Sequence, residues 1–170
     1  MKTIQLTQGQ VALVDDEDFE RVNQFKWYAH KKKSSYYAVR QVRQTNRKQK
    51  MCFLHRFIMD TPDGILTDHR DHDGLNNQKY NLRNCTKYQN NCNKNKAKDK
   101  SSIYKGVSLV SKRKKYIAHI RINRKIVHLG YFPLTPEGEI LAAKAYDDKA
   151  SEHFGEFAQL NFSTEGLSNG

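Results

Sequence analysis

The chain has 170 residues, with 30 Lys and Arg against 18 Asp and Glu, a formal charge of +12, and 37% hydrophobic residues. That length suits one medium domain or two small ones, and the charge points to a polyanionic partner, nucleic acid first. No run approaches the roughly 18 apolar residues of a membrane span, and no basic amphipathic helix with a bulky apolar face appears, so no membrane partner is expected.

The opening MKTIQLTQGQ lacks the apolar core of a signal peptide. QVALVD (10–15) and SYYAVRQV (35–42) are rich in β-branched and aromatic residues and predict strands. Between them DDEDFERVNQF is acidic at its start, as suits a helix N-terminus. FKWYAH carries the single Trp, Trp27. Residues 1–50 therefore read as a β-rich segment with an aromatic core, and Lys31–Lys33 as an alternative DNA-contacting cluster. KMCFLHRFIM (50–59) is apolar on a helical face and runs into the turn signal TPDG.

ILTDH predicts a strand, RDHDGLNNQKY a long loop, NLRNC a second short strand and TKYQNNCNKN a helix. Thr86 with Gln89 three residues later forms a capping box, which places Asn90 about one turn into that helix. From Lys94 to Lys125 there are twelve basic residues against one acid, Asp99, and the first part, KNKAKDKSS, reads as a linker. IYKGVSLV, KYIAHIRI and KIVHLGYF predict three strands joined by the polar turns SKRK and NRK. A helix follows, with Thr135 as cap, Pro136 in its first position, Glu137 and Glu139 in its first turn and Gly155 as its stop. Its alanines 142, 143, 145 and 150 permit close approach to a sheet, and the tail STEGLSNG predicts disorder. Cys52, Cys85 and Cys92 form no C-x-x-C pair and read as reduced thiols of an intracellular protein.

The segment TDHRDHDGLNN gathers Asp68, His69, Asp71, His72 and Asp73 in an otherwise basic chain. A calcium loop with Gly74 at its sixth position places His69 first and Tyr80 last, where carboxylates are needed. A zinc site from His69, His72, Cys85 and Cys92 leaves too many residues between the two cysteines for a knuckle. Phosphodiester hydrolysis needs a base for water and a cation for the leaving oxygen. Asp68 and His69 at the end of a strand, with Asn90 on the helix packed across it, supply residues of those types. Turn formation is the expected role of Asp71, His72 and Asp73, with His72 a rival base.

FLHRFIM…TDHRDHDGLNN…YNLRNCTKYQNNCN resembles the HNH endonucleases of phages and mobile introns, with the ββα-metal fold, over residues 55–93. The resemblance implies Asp68 and Asn90 as metal ligands, His69 as general base and Asn81 as the middle asparagine bracing the loop. His55 and Arg56 match the family's HR pair and are expected to contact phosphate or support the site. One Mg²⁺ or Mn²⁺ per site is implied, and no structural zinc, because paired C-x-x-C knuckles are lacking.

YKGV, AHIR, HLGYF, AKAYD and LNF, over residues 104–162, resemble the plant APETALA-two/ethylene-response-factor DNA-binding domain and its relatives in phage and intron endonucleases. That implies a three-stranded sheet with its exposed face in the major groove. Alternation puts Tyr116, Ala118, Ile120 and Ile122 on one face, and Ile117, His119 and Arg121 on the other. Lys105, Lys112, Arg113, His119, Arg121, Arg124 and His128 are the candidate DNA contacts. Lys105, Ser108 and Val110 stand where the plant domains carry Arg, so plant sequence preference does not transfer.

The expected fold class is α+β: a β-rich segment (1–50) leading into a ββα-metal module (51–93), a basic linker (94–101), a three-stranded antiparallel sheet packed on one helix (102–162), and a tail (163–170). The expected function is a metal-dependent, homing-type DNA endonuclease acting on double-stranded DNA, as a monomer or weak homodimer, in the cytoplasm or nucleoid of a bacterial or phage-infected host. A DNA-binding regulator with an inactive nuclease module is the alternative.

Overall fold

A computed structural model describes residues 1–32, 35–45, 47–94 and 101–162. The expected linker is thus described only at residues 94 and 101, and Lys33 and the tail 163–170 lie outside the described residues. The structure is α+β and divides into two compact units, Met1–Asn90 and Asn91–Gly170.

The first unit opens with a hairpin of β1 (Lys2–Gln5) and β2 (Val11–Val14), of which the sequence reading had only the second strand. Gln8 and Gly9 both take positive φ at the turn, 60° and 66°, the backbone sense that matches strand twist in a tight hairpin. Helix α1 (Asp16–Asn23) follows, with Asp16, Glu17 and Asp18 at its positive end. Next come β3 (Tyr28–Lys32), β4 (Ser35–Arg43) and β5 (Gln49–Phe53), in the antiparallel order β3–β4–β5.

The helix expected over 50–59 is half strand. β5 pairs with β4 from Val39↔Phe53 to Arg43↔Gln49, and only α2 (Leu54–Ile58) is helical. The ladder to β4 satisfies the main chain of residues 49–53, an option that helical periodicity alone does not reveal.

A second two-stranded ladder joins β6 (Leu66–His69) to β7 (Leu82–Cys85), and α3 (Lys87–Cys92) follows. Gln89 N–H donates to Thr86 Oγ1 at 3.2 Å and Thr86 N–H to Gln89 Oε1 at 2.8 Å, so the capping box forms. A hydrophobic core in this unit includes Ile4, Val14, Val22, Trp27, Ala38, Leu54, Ile58 and Leu82. Trp27 is buried in it, and its indole N–H donates to Val22 O at 2.9 Å.

In the second unit β8 (Val107–Val110), β9 (Lys115–Ile122) and β10 (Lys125–Pro133) form an antiparallel sheet in the order β10–β9–β8. Helix α4 (Pro136–Phe154) carries the expected Thr135 cap, whose Oγ1 accepts from Gly138 N–H at 3.1 Å. Ala118 and Val107 pack on Ala142 and Ala143, and Ile120 packs on Tyr146 and Ala150. Alternation along β9 thus selects its helix-facing residues.

The YKGV, AYD and LNF segments converge on one lock. The Asp147 carboxylate is buried and accepts from the main-chain N–H groups of Asn161 and Phe162 and from Asn161 Nδ2, all at 2.9–3.0 Å. Asn161 Oδ1 accepts from Lys105 N–H at 2.6 Å, and its Nδ2 donates to Lys105 O at 3.0 Å. Gly106, at φ +79°, lies flat on the Tyr146 ring, where a Cβ would fall inside the ring's van der Waals envelope. Gly106→Ala should therefore destabilise this unit by about 2–4 kcal/mol through overpacking and an unfavourable φ, read from denaturant unfolding followed by circular dichroism. An unchanged midpoint would show that the ring has room to move.

Candidate active site and nucleic-acid interface

Residues 70–80 link β6 to β7 and are pinned to the N-terminal hairpin. Leu13 N–H donates to Leu75 O at 2.8 Å and Asn77 N–H to Leu13 O at 2.9 Å. The Asp15 carboxylate accepts from Lys79 N–H at 2.7 Å and from Gln78 Nε2 at 3.0 Å. Gly74 packs where a Cβ would strike Tyr36 O and the Tyr37 ring. Residues 1–50 thus hold the loop that follows the DH pair, a role the sequence did not disclose.

Inside the loop Asn81 acts as a brace. It is buried, and its Oδ1 accepts from Asp71 N–H at 3.1 Å. Its Nδ2 donates to Asp71 Oδ1 at 2.9 Å and to Asn76 O at 2.8 Å. Asp71 also accepts from Asp73 N–H and Asn76 Nδ2, both at 2.8 Å, and Asp73 Oδ1 accepts from Leu75 N–H at 3.0 Å. These are turn-forming contacts. His72, at φ 65°, donates its N–H to His69 O at 3.2 Å as part of the same turn.

Asp68 and His69 are both buried at the end of β6. Asp68 stands opposite Arg83 across the ladder, and its Oδ2 accepts from Arg83 Nε at 3.1 Å and Nη2 at 2.9 Å. His69 Nε2 lies 3.4 Å from Asn77 Oδ1. Asn77 Nδ2 donates to Leu75 O at 2.9 Å, which fixes Oδ1 as the atom facing the imidazole. An amide oxygen only accepts, so the ring proton sits on Nε2 and Nδ1 is the basic nitrogen. Burial pushes the His69 imidazole below the usual histidine range, against the Asn77 contact and the negative charges of Asp71, Asp68 and Asp73, which pull it up.

His55 backs His69, their rings edge to face with centroids 4.8 Å apart, and Tyr37 closes the box at 5.9 Å from His55 and 6.0 Å from His69. Burial drives His55 well below the usual range, and the charges of His69, Arg56 and Lys32 add to this. Its buried Nδ1 has no hydrogen-bond partner among the described residues. His55 thus supports the site from inside. Arg56 also points inward: its guanidinium donates to the carbonyls of Ile65, Thr61 and Pro62, which tie the α2–β6 connection. Of the two expected roles, phosphate contact or support of the site, these contacts favour support: His55 is buried behind His69, and the Arg56 guanidinium is held by carbonyls of the fold.

Asn90 lies in the first turns of α3, half-buried, with its N–H donating to Thr86 O at 3.0 Å. One carboxylate and one amide oxygen are hard donors, a set that suits Mg²⁺ or Mn²⁺, which keep most of their waters. Among the described residues no group of three or more His, Cys, Asp and Glu is placed to hold an ion. Cys52, Cys85 and Cys92 are free thiols, and burial raises Cys85 and Cys92 above the usual range.

On the second unit, strand pairing aligns Arg121 with Ile126, His119 with His128 and Ile117 with Tyr131 on the sheet face away from α4. Arg121 and His128 are exposed, and burial, then the charges of His128 and Arg121, lowers His119. Lys112 and Arg113 stand exposed at the β8–β9 turn, with Arg113 stacked 4.9 Å from the Tyr131 ring centroid, and Arg124 stands at the β9–β10 turn. Lys105 does not join this face. Its Nζ donates to Cys92 O at 2.8 Å and Lys94 O at 2.7 Å, and burial lowers its pKa to about 8. The expectation of a DNA contact at Lys105 is corrected on that ground.

Sequence reasoning missed Tyr37, Asn77, Arg83 and Asp15. Arg83 sits in the NLR signature and Asn77 in GLNN, so both lay inside quoted motifs; the other two are visible only through packing.

No family model matches the chain. An uncharacterized HNH endonuclease of Acanthamoeba polyphaga mimivirus is 33% identical over 155 residues, covering 90% of this chain and 75% of that protein. At that identity over 90% of its length, the chain belongs to the HNH endonuclease family.

Proposed function

We propose that the protein is a divalent-metal-dependent endonuclease of homing type, cutting double-stranded DNA that its second unit holds. The observation that carries this reading is the buried His69 imidazole next to the Asp68 carboxylate, beside a loop braced by Asn81. Asp68 and Asn90 would hold one Mg²⁺ or Mn²⁺ in a ββα-metal arrangement. Such an ion, when bound, stabilises charge on the scissile phosphate and the departing 3′-oxygen.

The remaining steps belong to the protein's own groups. His69 Nδ1 takes a proton from the attacking water, and Asn77 holds the ring in the tautomer that makes this possible. Tyr37 and His55 wall the imidazole on the side away from substrate and keep it dry. The second unit acts as a domain of the ethylene-response-factor type. His119, Arg121 and His128 meet the major groove, while Lys112, Arg113 and Arg124 meet phosphate. A monomer cutting one strand per event, or a weak dimer, acting in the cytoplasm or nucleoid, fits this reading. Among the described residues no helix is long and apolar enough to cross a membrane.

The opposing reading, a DNA-binding regulator with an inactive nuclease unit, draws on the Arg83 guanidinium that already occupies Asp68. Incubating supercoiled plasmid with the purified protein separates the two. Conversion to nicked circles in Mg²⁺ or Mn²⁺, blocked by chelator, is expected. Plasmid that is retarded on a gel but stays supercoiled in both ions would favour the regulator.

A further inference from the structure

Arg83 has no part in the chemistry described above, yet it forms a buried ion pair with the carboxylate on which that chemistry depends. The register of β6 and β7 places the two residues directly opposite each other. Arg83 Nε and Nη2 both donate to the same oxygen, Asp68 Oδ2, at 3.1 and 2.9 Å. The pair is sealed, with the Arg83 side chain 7% and the Asp68 side chain 9% exposed. A carboxylate at that depth is tolerated only beside a compensating cation. The first unit can therefore fold around the Asp68 carboxylate before any metal arrives.

We propose that Arg83 is the resident counter-cation of Asp68, and that its positive charge holds down the affinity of the free protein for a divalent ion. The proposal rests on the reading of Asp68 as a metal ligand. A divalent ion approaching Asp68 is attracted by the carboxylate and repelled by the guanidinium at the same time. Ion loading is then weak in the free protein and strengthens when substrate phosphate brings further anionic oxygens to the same place. Arg83 is in this sense a positioning residue that acts through Asp68 and touches neither water nor the scissile bond.

The test uses the full chain, free of DNA, with Mn²⁺ alone as probe. Isothermal titration and thermal unfolding, each with and without Mn²⁺, are compared for wild type, Arg83→Met, Arg83→Lys and Asp68→Asn. Arg83→Met removes the charge and is expected to bind Mn²⁺ about tenfold more tightly or better. It should also unfold at a lower temperature than wild type in chelator and recover much of that loss when Mn²⁺ is added. Arg83→Lys keeps the charge and should bind Mn²⁺ within a few-fold of wild type.

Equal or weaker Mn²⁺ affinity in Arg83→Met, or Met and Lys variants with the same affinity, would overturn the proposal and leave Arg83 a structural partner only. If Arg83→Met does not fold even with Mn²⁺, Arg83→Lys decides: an affinity far from wild type in either direction overturns the role assigned to the charge. Asp68→Asn tells the two failures apart. If it leaves Mn²⁺ binding unchanged, the ligand role of Asp68 fails and the role of Arg83 with it. If it abolishes binding while the Arg83 variants behave alike, only the role of Arg83 fails.

Discussion

Replacing His69 by alanine should slow single-turnover DNA cleavage by about 10²–10⁴-fold, the usual contribution of one general base, while DNA affinity stays close to wild type. The separation is expected because the imidazole is buried among Asn77, His55 and Tyr37, while the exposed cations proposed to meet DNA belong to the second unit. The pH dependence follows from the same burial. His69 is lowered from the usual histidine range, so the neutral base form is the major one at pH 7. The cleavage rate should be level through neutrality and fall only in acid, as pH drops through that lowered value and Nδ1 takes up a proton. Rates measured under single-turnover conditions between pH 5 and 8 check both points. A His69→Ala protein that cuts at the wild-type rate would remove His69 from the mechanism.

The second large effect belongs to Asn81. Asn81→Ala removes three side-chain hydrogen bonds at a fully enclosed position and strands Asp71 N–H and Asn76 O without their partner. Unsatisfied buried groups of this kind cost about 1–3 kcal/mol each, so a loss of about 2–4 kcal/mol in the stability of the first unit is expected. The same change frees Asp71 from its brace, and the turn that carries His72 N–H to His69 O then loosens. Activity should fall even at temperatures where the variant remains folded. Urea unfolding gives the first number and cleavage at a folded temperature the second. A variant with wild-type stability would show that the loop is held by its contacts to Leu13 and Asp15 alone.

How far the sequence discloses this molecule depends on the range of the interaction involved. The capping box at Thr86 and Gln89, the Thr135 cap and the alternation in KYIAHIRI are local, and each forms with the expected partners. Asp71 and Asp73 shape the turn, as short acidic side chains in a loop do. The errors lie where distant chain decides. Residues 50–53 are a strand because β4 offers a ladder, and the local pattern was equally compatible with helix. Arg56 and Lys105 look like phosphate ligands by type, but carbonyl oxygens of the fold already hold both. Residues 1–50 carry no signature of the site. They reach it through Asp15, Leu13 and Tyr37, contacts that only the packed chain contains.

Metal-assisted hydrolysis of DNA beside Asp68 and His69, as proposed, leaves a chemical signature on the cut strands. The most direct measurement is the product formed from an end-labelled duplex in Mg²⁺ and in excess chelator, with the chemistry of the new ends determined. Strand breaks bearing 3′-hydroxyl and 5′-phosphate ends are expected in Mg²⁺, and an intact duplex in chelator. Breaks that persist in chelator, or that carry 3′-phosphate ends, would contradict the proposal.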